Sequence, residues 1–203
     1  MESREKIADA CVPADVRPGQ FETPLGVVGI GLLGSAICHR LMDQGYRLMV
    51  WSRFRHEAES VLARGAEWSE KPLAECERVI LCLYTSQIVE DILKTLENDL
   101  HEGQTVIDIT TGSPEDAERL AEQLAERRIT YLEAPVSGSS VQAQKGLATI
   151  LVGGDREAFE NNLDLWNSLG RSVYYTGGSG SASRMKLVAN LVLGLNRAGL
   201  AEG

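Results

Sequence analysis

Cysteine, histidine and basic runs are all sparse in this 203-residue chain, and each scarcity removes a class of function. Cys11, Cys38, Cys76 and Cys82 lack C-x-x-C spacing, and Cys38 and Cys82 fall in apolar segments that should be buried. They read as small core residues of a reducing compartment, not as disulfide partners or metal ligands, and predict a cytoplasmic location. His39, His56 and His101 are scattered with no partner at ligand spacing, so no metal site is expected. No long basic run offsets the net charge of -9, which argues against general affinity for nucleic acid or an anionic membrane. Residues 1–24 mix charges with Pro13, Pro18, Gly19 and Pro24 and hold no long apolar run. They read as a tail, with a short helix around Glu5 to Cys11, and not as a secretory leader or membrane span.

What is present is a chain that is 43% hydrophobic and long enough for a sizeable core, with a conspicuous glycine turn near its start. Leu25, Val27, Val28 and Ile30 read as a buried strand, and Ala36, Ile37, Leu41 and Met42 recur at helical spacing. Between them, Gly29, Gly31 and Gly34 form G-x-G-x-x-G across Gly29-Ile30-Gly31-Leu32-Leu33-Gly34. Alone, the motif is no more than a Gly-rich turn. Between a strand and a helix it predicts a pyrophosphate site, where Gly29 permits the turn, Gly31 leaves room for the phosphates and Gly34 lets helix approach sheet. The unpaired N–H groups of the helix start then face the anion without any side-chain charge.

Strand and helix patterns alternate onward. Strands are expected at Arg47–Trp51, Arg78–Tyr84, Thr105–Ile109, Ile129–Glu133, Ala148–Val152 and Ser172–Tyr175. Helices are expected at His56–Arg64, Ile88–Leu100, Pro114–Arg127 and Glu157–Leu169. This order predicts an α/β, Rossmann-type, mostly parallel doubly wound sheet over residues 25–176, with ligands beyond the carboxyl ends of its strands.

The end of the second strand, about 20 residues past the glycines, bears on the choice of coenzyme. Where an acidic residue would accept ribose hydroxyls, the chain has Trp51-Ser52-Arg53-Phe54-Arg55, and no carboxylate is expected there. Ser52 and the Arg53 guanidinium suit a ribose phosphate, which favours NADP(H), with NAD(H) as the alternative if the arginines are solvated turn residues.

Three later segments carry candidate chemistry. Asp108-Ile109-Thr110-Thr111-Gly112-Ser113-Pro114 follows a strand and enters a helix; Glu133-Ala134-Pro135-Val136-Ser137-Gly138-Ser139-Ser140 follows another and offers hydroxyls and amides to a carboxylate. In the third, from Gly177 to Asn190, Lys186 and Asn190 are four apart and share a helical face amid Leu187, Val188, Leu191, Val192 and Leu195. Lys186 suits a proton donor to a carbonyl oxygen or a base toward an alcohol, with Asn190 orienting it; the plainer reading is a snorkelling lysine beside a packed asparagine.

Together these segments resemble the β-hydroxyacid dehydrogenase family, which includes 3-hydroxyisobutyrate dehydrogenases and glyoxylate, succinic semialdehyde and tartronate semialdehyde reductases. The matching pieces are Gly29 to Gly34 with Val50 to Arg53, Asp108 to Pro114, Glu133 to Ser139, Gly146 to Gly154 and Gly178 to Asn190. The resemblance implies Lys186 as catalytic acid/base, Asn190 as a substrate-orienting residue, Ser137, Gly138 and Ser139 at the substrate carboxylate, and Thr111 near the nicotinamide. Ser139 stands where the family often has a second glycine. Ala189, in place of a histidine before the asparagine, separates the chain from the 6-phosphogluconate type, and Lys186 separates it from imine reductases and from chromatin-associated glyoxylate-reductase-like proteins.

The resemblance further implies an all-helical domain after the interdomain helix. Residues 177–203 read as a glycine-rich loop and the start of that helix, with the helical domain absent. Two functions follow as expectations: an NADP(H)-linked oxidoreductase for small β-hydroxy acids or their semialdehyde or 2-oxo acid counterparts, or a dinucleotide-binding or assembly module with little turnover. The apolar flank from Leu187 to Leu200 is expected to fold back, to pair with another chain, as in a homo-oligomer, or to promote aggregation.

Overall fold

The computed structural model describes residues 23–202; the expected helix around Glu5 to Cys11 and most of the tail lie outside them. The chain starts with β1 (Leu25–Val28), α1 (Leu32–Asp43) and β2 (Leu48–Trp51). A 3-10 turn (Arg55–Ala58) leads into α2 (Glu59–Leu62), β3 (Glu67–Trp68), α3 (Pro72–Glu75) and β4 (Arg78–Leu81). Next come α4 (Ser86–Thr95), β5 (Thr105–Asp108), α5 (Pro114–Ala125) and β6 (Thr130–Glu133). The last third holds β7 (Val136–Ser137), α6 (Ser140–Gln144), β8 (Thr149–Gly154), α7 (Arg156–Glu160), α8 (Leu163–Leu169), β9 (Ser172–Gly177) and α9 (Ser181–Glu202).

The strands form one sheet ordered β3-β2-β1-β4-β5-β6-β8-β7, with β9 added on β8. From β3 to β6 every pairing is parallel, so the order reverses direction between β1 and β4, the switch point at which doubly wound sheets open a crevice. β8 then runs antiparallel to β6 and β7 while β9 is parallel to β8, which makes the sheet mixed at that end.

Strand alternation divides the core between two faces. Val27, Ile80 and Ile107 point to the layer where Ile37 and Leu41 of α1, Ala143 of α6 and Trp166 of α8 pack. Val28, Val79, Leu81 and Val106 point to the opposite layer, against Leu73 of α3, Val89 and Leu93 of α4, and Leu120 and Leu124 of α5. Both layers are buried, which explains why these strands read as continuous apolar runs.

Some elements differ from the expectation. The helix expected at Glu157–Leu169 is two helices, because buried Asn162 breaks it and its amide bonds back to the Ala158 carbonyl at 2.8 Å. Elements of two to five residues, β3, β7, α3 and α6, lack the length to show periodicity and were not expected.

Candidate functional site: a cavity at the carboxyl ends of the strands

The register places Trp51, Val28, Leu81, Asp108 and Glu133, the last residues of β2, β1, β4, β5 and β6, side by side. The loops that leave this row enclose a cavity of about 600 Å³. Gly29–Gly34 form its floor, Ser52, Arg53, Phe54 and Glu57 close the β2 end, and Thr110, Thr111, Gly138 and Ser140 stand at the other.

Each glycine of the turn has its own physical reason. Gly29 has φ +98°, and a Cβ there would collide with the Cys82 carbonyl oxygen. A Cβ on Gly34 would collide with the carbonyl oxygen of Gly29, so these two glycines hold turn, strand and helix in contact. At Gly31 the backbone is extended (φ -77°, ψ -162°) and an added Cβ would touch nothing within 4 Å. Protein packing therefore gives no reason for glycine at 31; the cavity does. Gly31 is the N-cap of α1 and offers no side-chain cap, so the helix start depends on something else to satisfy its N–H groups.

The β4 and β5 loops are tied together. Buried Asp108 accepts the Thr110 N–H and the Tyr131 hydroxyl, each at 2.9 Å, and the Thr110 hydroxyl accepts the Leu83 N–H at 3.0 Å. Thr111 is thereby presented to the cavity. Burial pushes the Asp108 carboxyl up to about 6, against the hydrogen bonds from Thr110 and Tyr131 that lower it, while neighbouring Glu133 adds to the rise. Cys82 also lines the cavity, but burial pushes its thiol up to about 12, so it is no nucleophile at neutral pH.

The β2 end holds a carboxylate, Glu57, against the expectation that none would stand there. The buried Ser52 hydroxyl donates to the Glu57 carboxylate, and Arg55 lies over the Trp68 ring, 5.0 Å from its centroid. Glu57 stands in the 3-10 turn beyond the strand end where acidic partners are usually sought, which is why spacing alone missed it.

The substrate-side residues are less gathered. Gly138 (φ +154°) lines the cavity, with Ala148 where a Cβ would project; Ser137 and Ser139 do not line it. Ser139 caps α6: its hydroxyl accepts the Gln142 N–H at 3.2 Å, and its own N–H donates to Gln142 Oε1 at 2.8 Å. The amide expected to serve a carboxylate is thus already engaged, and the S-x-x-Q spacing from Ser139 to Gln142 carried that signal.

Lys186 and Asn190 sit one turn apart on α9 but in unlike surroundings, Lys186 buried and Asn190 exposed, and neither lines the cavity. Burial lowers the Lys186 ammonium from its ordinary value. Its height above the sheet is set by Glu133, which accepts the Ala182 N–H at 2.8 Å, the Ser183 N–H at 3.1 Å and the Ser183 hydroxyl. Gly153 makes room, since a Cβ there would strike that carboxylate. Beyond Lys186 most of the helix surface is exposed, including Leu187, Val188, Leu191, Val192, Leu193 and Leu195. Among the described residues no helix is long and apolar enough to cross a membrane.

Comparison with known proteins agrees with this geometry. Among curated relatives, the oxidoreductase YkwC of Bacillus subtilis (strain 168) is 32% identical over 185 residues, covering 88% of this chain and 64% of the relative. A 3-hydroxyisobutyrate dehydrogenase of Mycobacterium tuberculosis, solved with L-serine, superposes with a TM-score of 0.85 at 22% identity over 89% of this chain and 63% of its own. A structure of Psf3 in complex with NADP+ and 2-OPP matches with a TM-score of 0.78 at 29% identity, over 88% and 68%. The chain thus spans about two thirds of the length of these proteins. The family model of the NAD binding domain of 6-phosphogluconate dehydrogenase matches residues 24–177, and the chain belongs to that family.

Proposed function

We propose that the cavity holds a nicotinamide dinucleotide, NADP(H) in preference and NAD(H) as the alternative, and that the chain serves hydride transfer to or from a small β-hydroxy acid or its semialdehyde or 2-oxo acid counterpart. Gly31 carries the first half: its glycine is unexplained by contacts within the protein and explained by a phosphate that must reach the backbone. The amides of the Gly31–Gly34 turn hold the pyrophosphate, Ser52 and Arg53 the ribose end, and Thr111 stands toward the nicotinamide. NADP+ in Psf3, 29% identical to this chain, supports the preference. When bound, the coenzyme supplies or accepts the hydride.

The chain's own part in the chemistry is proton handling. Lys186, with its ammonium destabilised by burial, gives a proton to the carbonyl oxygen in reduction and removes it from the hydroxyl in oxidation, while Asn190 orients that oxygen. Ser137, Gly138 and Ser139 are assigned to the substrate carboxylate, which requires the Ser139–Gln142 cap to open. Lys186→Ala is expected to bind NADPH within about twofold of the parent by calorimetry and to lose about 10²- to 10⁴-fold in turnover of glyoxylate or succinic semialdehyde. Unchanged turnover in that variant counts against the lysine's role.

A second reading rests on a specific observation: Lys186, Asn190, Ser137 and Ser139 lie outside the cavity lining, and the apolar face of α9 is bare. On it, the chain is a coenzyme-binding unit that assembles with itself through α9. Tight NADPH binding with no turnover across a panel of semialdehydes and hydroxy acids supports this reading over the first.

A further inference from the structure

We infer that Glu57 is the residue that discriminates against the phosphorylated ribose, so that coenzyme choice in this chain is set by a contest between Glu57 and Arg53. The inference rests on the dinucleotide reading above and deepens it at one end of the same cavity. Four observations carry it. Glu57 lines the cavity beside Ser52, Arg53 and Phe54. Its carboxylate accepts the hydrogen bond of the buried Ser52 hydroxyl, the group otherwise free to donate to a phosphate. Arg55, the second cation of the segment, is turned onto the Trp68 ring and is not among the cavity residues. Arg53 lines the cavity without an ion pair to any described residue, so one cation and one anion face the adenosine ribose in place of two cations.

The chemistry of the two coenzymes differs at that point by one group. An unphosphorylated ribose brings hydroxyl donors, which a carboxylate accepts. A 2'-phosphate brings up to two negative charges and only acceptor oxygens, so it gains from Arg53 and is repelled by Glu57. Ser52 follows the carboxylate: while it donates to Glu57 it cannot donate to the phosphate, and NADP(H) must break that bond to recruit it. A preference for NADP(H) therefore means that Arg53 outweighs Glu57, and removing the acid should widen the margin.

Isothermal titration of the full chain with NADPH and with NADH, for the parent, Glu57→Gln and Glu57→Ala, tests this directly. Glu57 is exposed, so circular dichroism and melting are expected to match the parent for both variants. In each variant NADPH should bind about tenfold more tightly, and NADH should hold its affinity or lose a few-fold with the lost acceptor. The ratio of the two dissociation constants then shifts toward NADPH by fivefold or more. Both coenzymes binding all three proteins with a smaller shift, or a shift toward NADH, overturns the role of Glu57 while leaving the dinucleotide reading intact. Neither coenzyme binding the folded parent protein overturns that reading itself, and the inference with it.

Discussion

At the residue scale, the glycines of the turn separate packing from function. A methyl group at position 34 meets backbone that cannot withdraw, so Gly34→Ala is expected to cost roughly 1–3 kcal/mol or more in chemical denaturation. Gly31→Val faces open space on extended backbone, so it should leave stability within about 1 kcal/mol and abolish NADPH binding by calorimetry. Asp108 gives a pH signature. Its carboxyl is raised from 3.8 to about 6 in the folded state, so between these values the native protein binds more protons than the unfolded chain. The stability this group contributes is complete below pH 4 and is lost as pH rises through 6, on the order of 2–3 kcal/mol. Asp108→Asn keeps an acceptor for the Thr110 N–H and turns the Tyr131 bond around. The difference between parent and variant stability should therefore change across pH 4–7; parallel curves would rule the assignment out. The glycine roles were legible in sequence because they depend on backbone geometry at fixed spacing. Glu57 was not, because its place depends on how a 3-10 turn folds back on Ser52.

At the scale of elements, strand ends do most of the positioning. Glu133 was legible only as the head of a segment thought to meet substrate, whereas its carboxylate receives the start of α9 from two amides and a hydroxyl. Glu133→Ala leaves those donors buried and unanswered, at a cost of about 2–4 kcal/mol, and hydrogen exchange at the Ala182 and Ser183 amides should accelerate more than at β1. Exchange that rises equally everywhere would point to global destabilisation in place of a loosened helix root. The four-residue parallel strands were recovered as continuous apolar runs, since both faces of the sheet are covered, and the amphipathic helices α4 and α5 from their sharp helical stripes. The break at Asn162 was not, because it arises from a side chain bonding to its own helix, a choice invisible to hydrophobic spacing.

At the scale of the whole molecule, the mostly parallel, doubly wound sheet was foreseeable from alternation, but the reversal at β8 was not, since a strand's direction is set by its connections. The flank of α9 is bare, with Leu191, Val192, Leu193 and Leu195 exposed. Leu191→Glu with Leu195→Glu should lower self-association in sedimentation at rising concentration while leaving NADPH affinity unchanged. An unaltered sedimentation profile would remove α9 as the contact. The helix is 22 residues long, roughly 33 Å, with its buried residues Ala182, Ser183 and Lys186 confined to its first two turns. Mechanically it is a cantilever clamped at one end: a rotation of about 5° at the clamp sweeps the free tip through about 3 Å while moving Lys186 by less than 1 Å. Whatever docks on the outer half therefore feels small changes at Glu133 greatly magnified, and Lys186 scarcely at all.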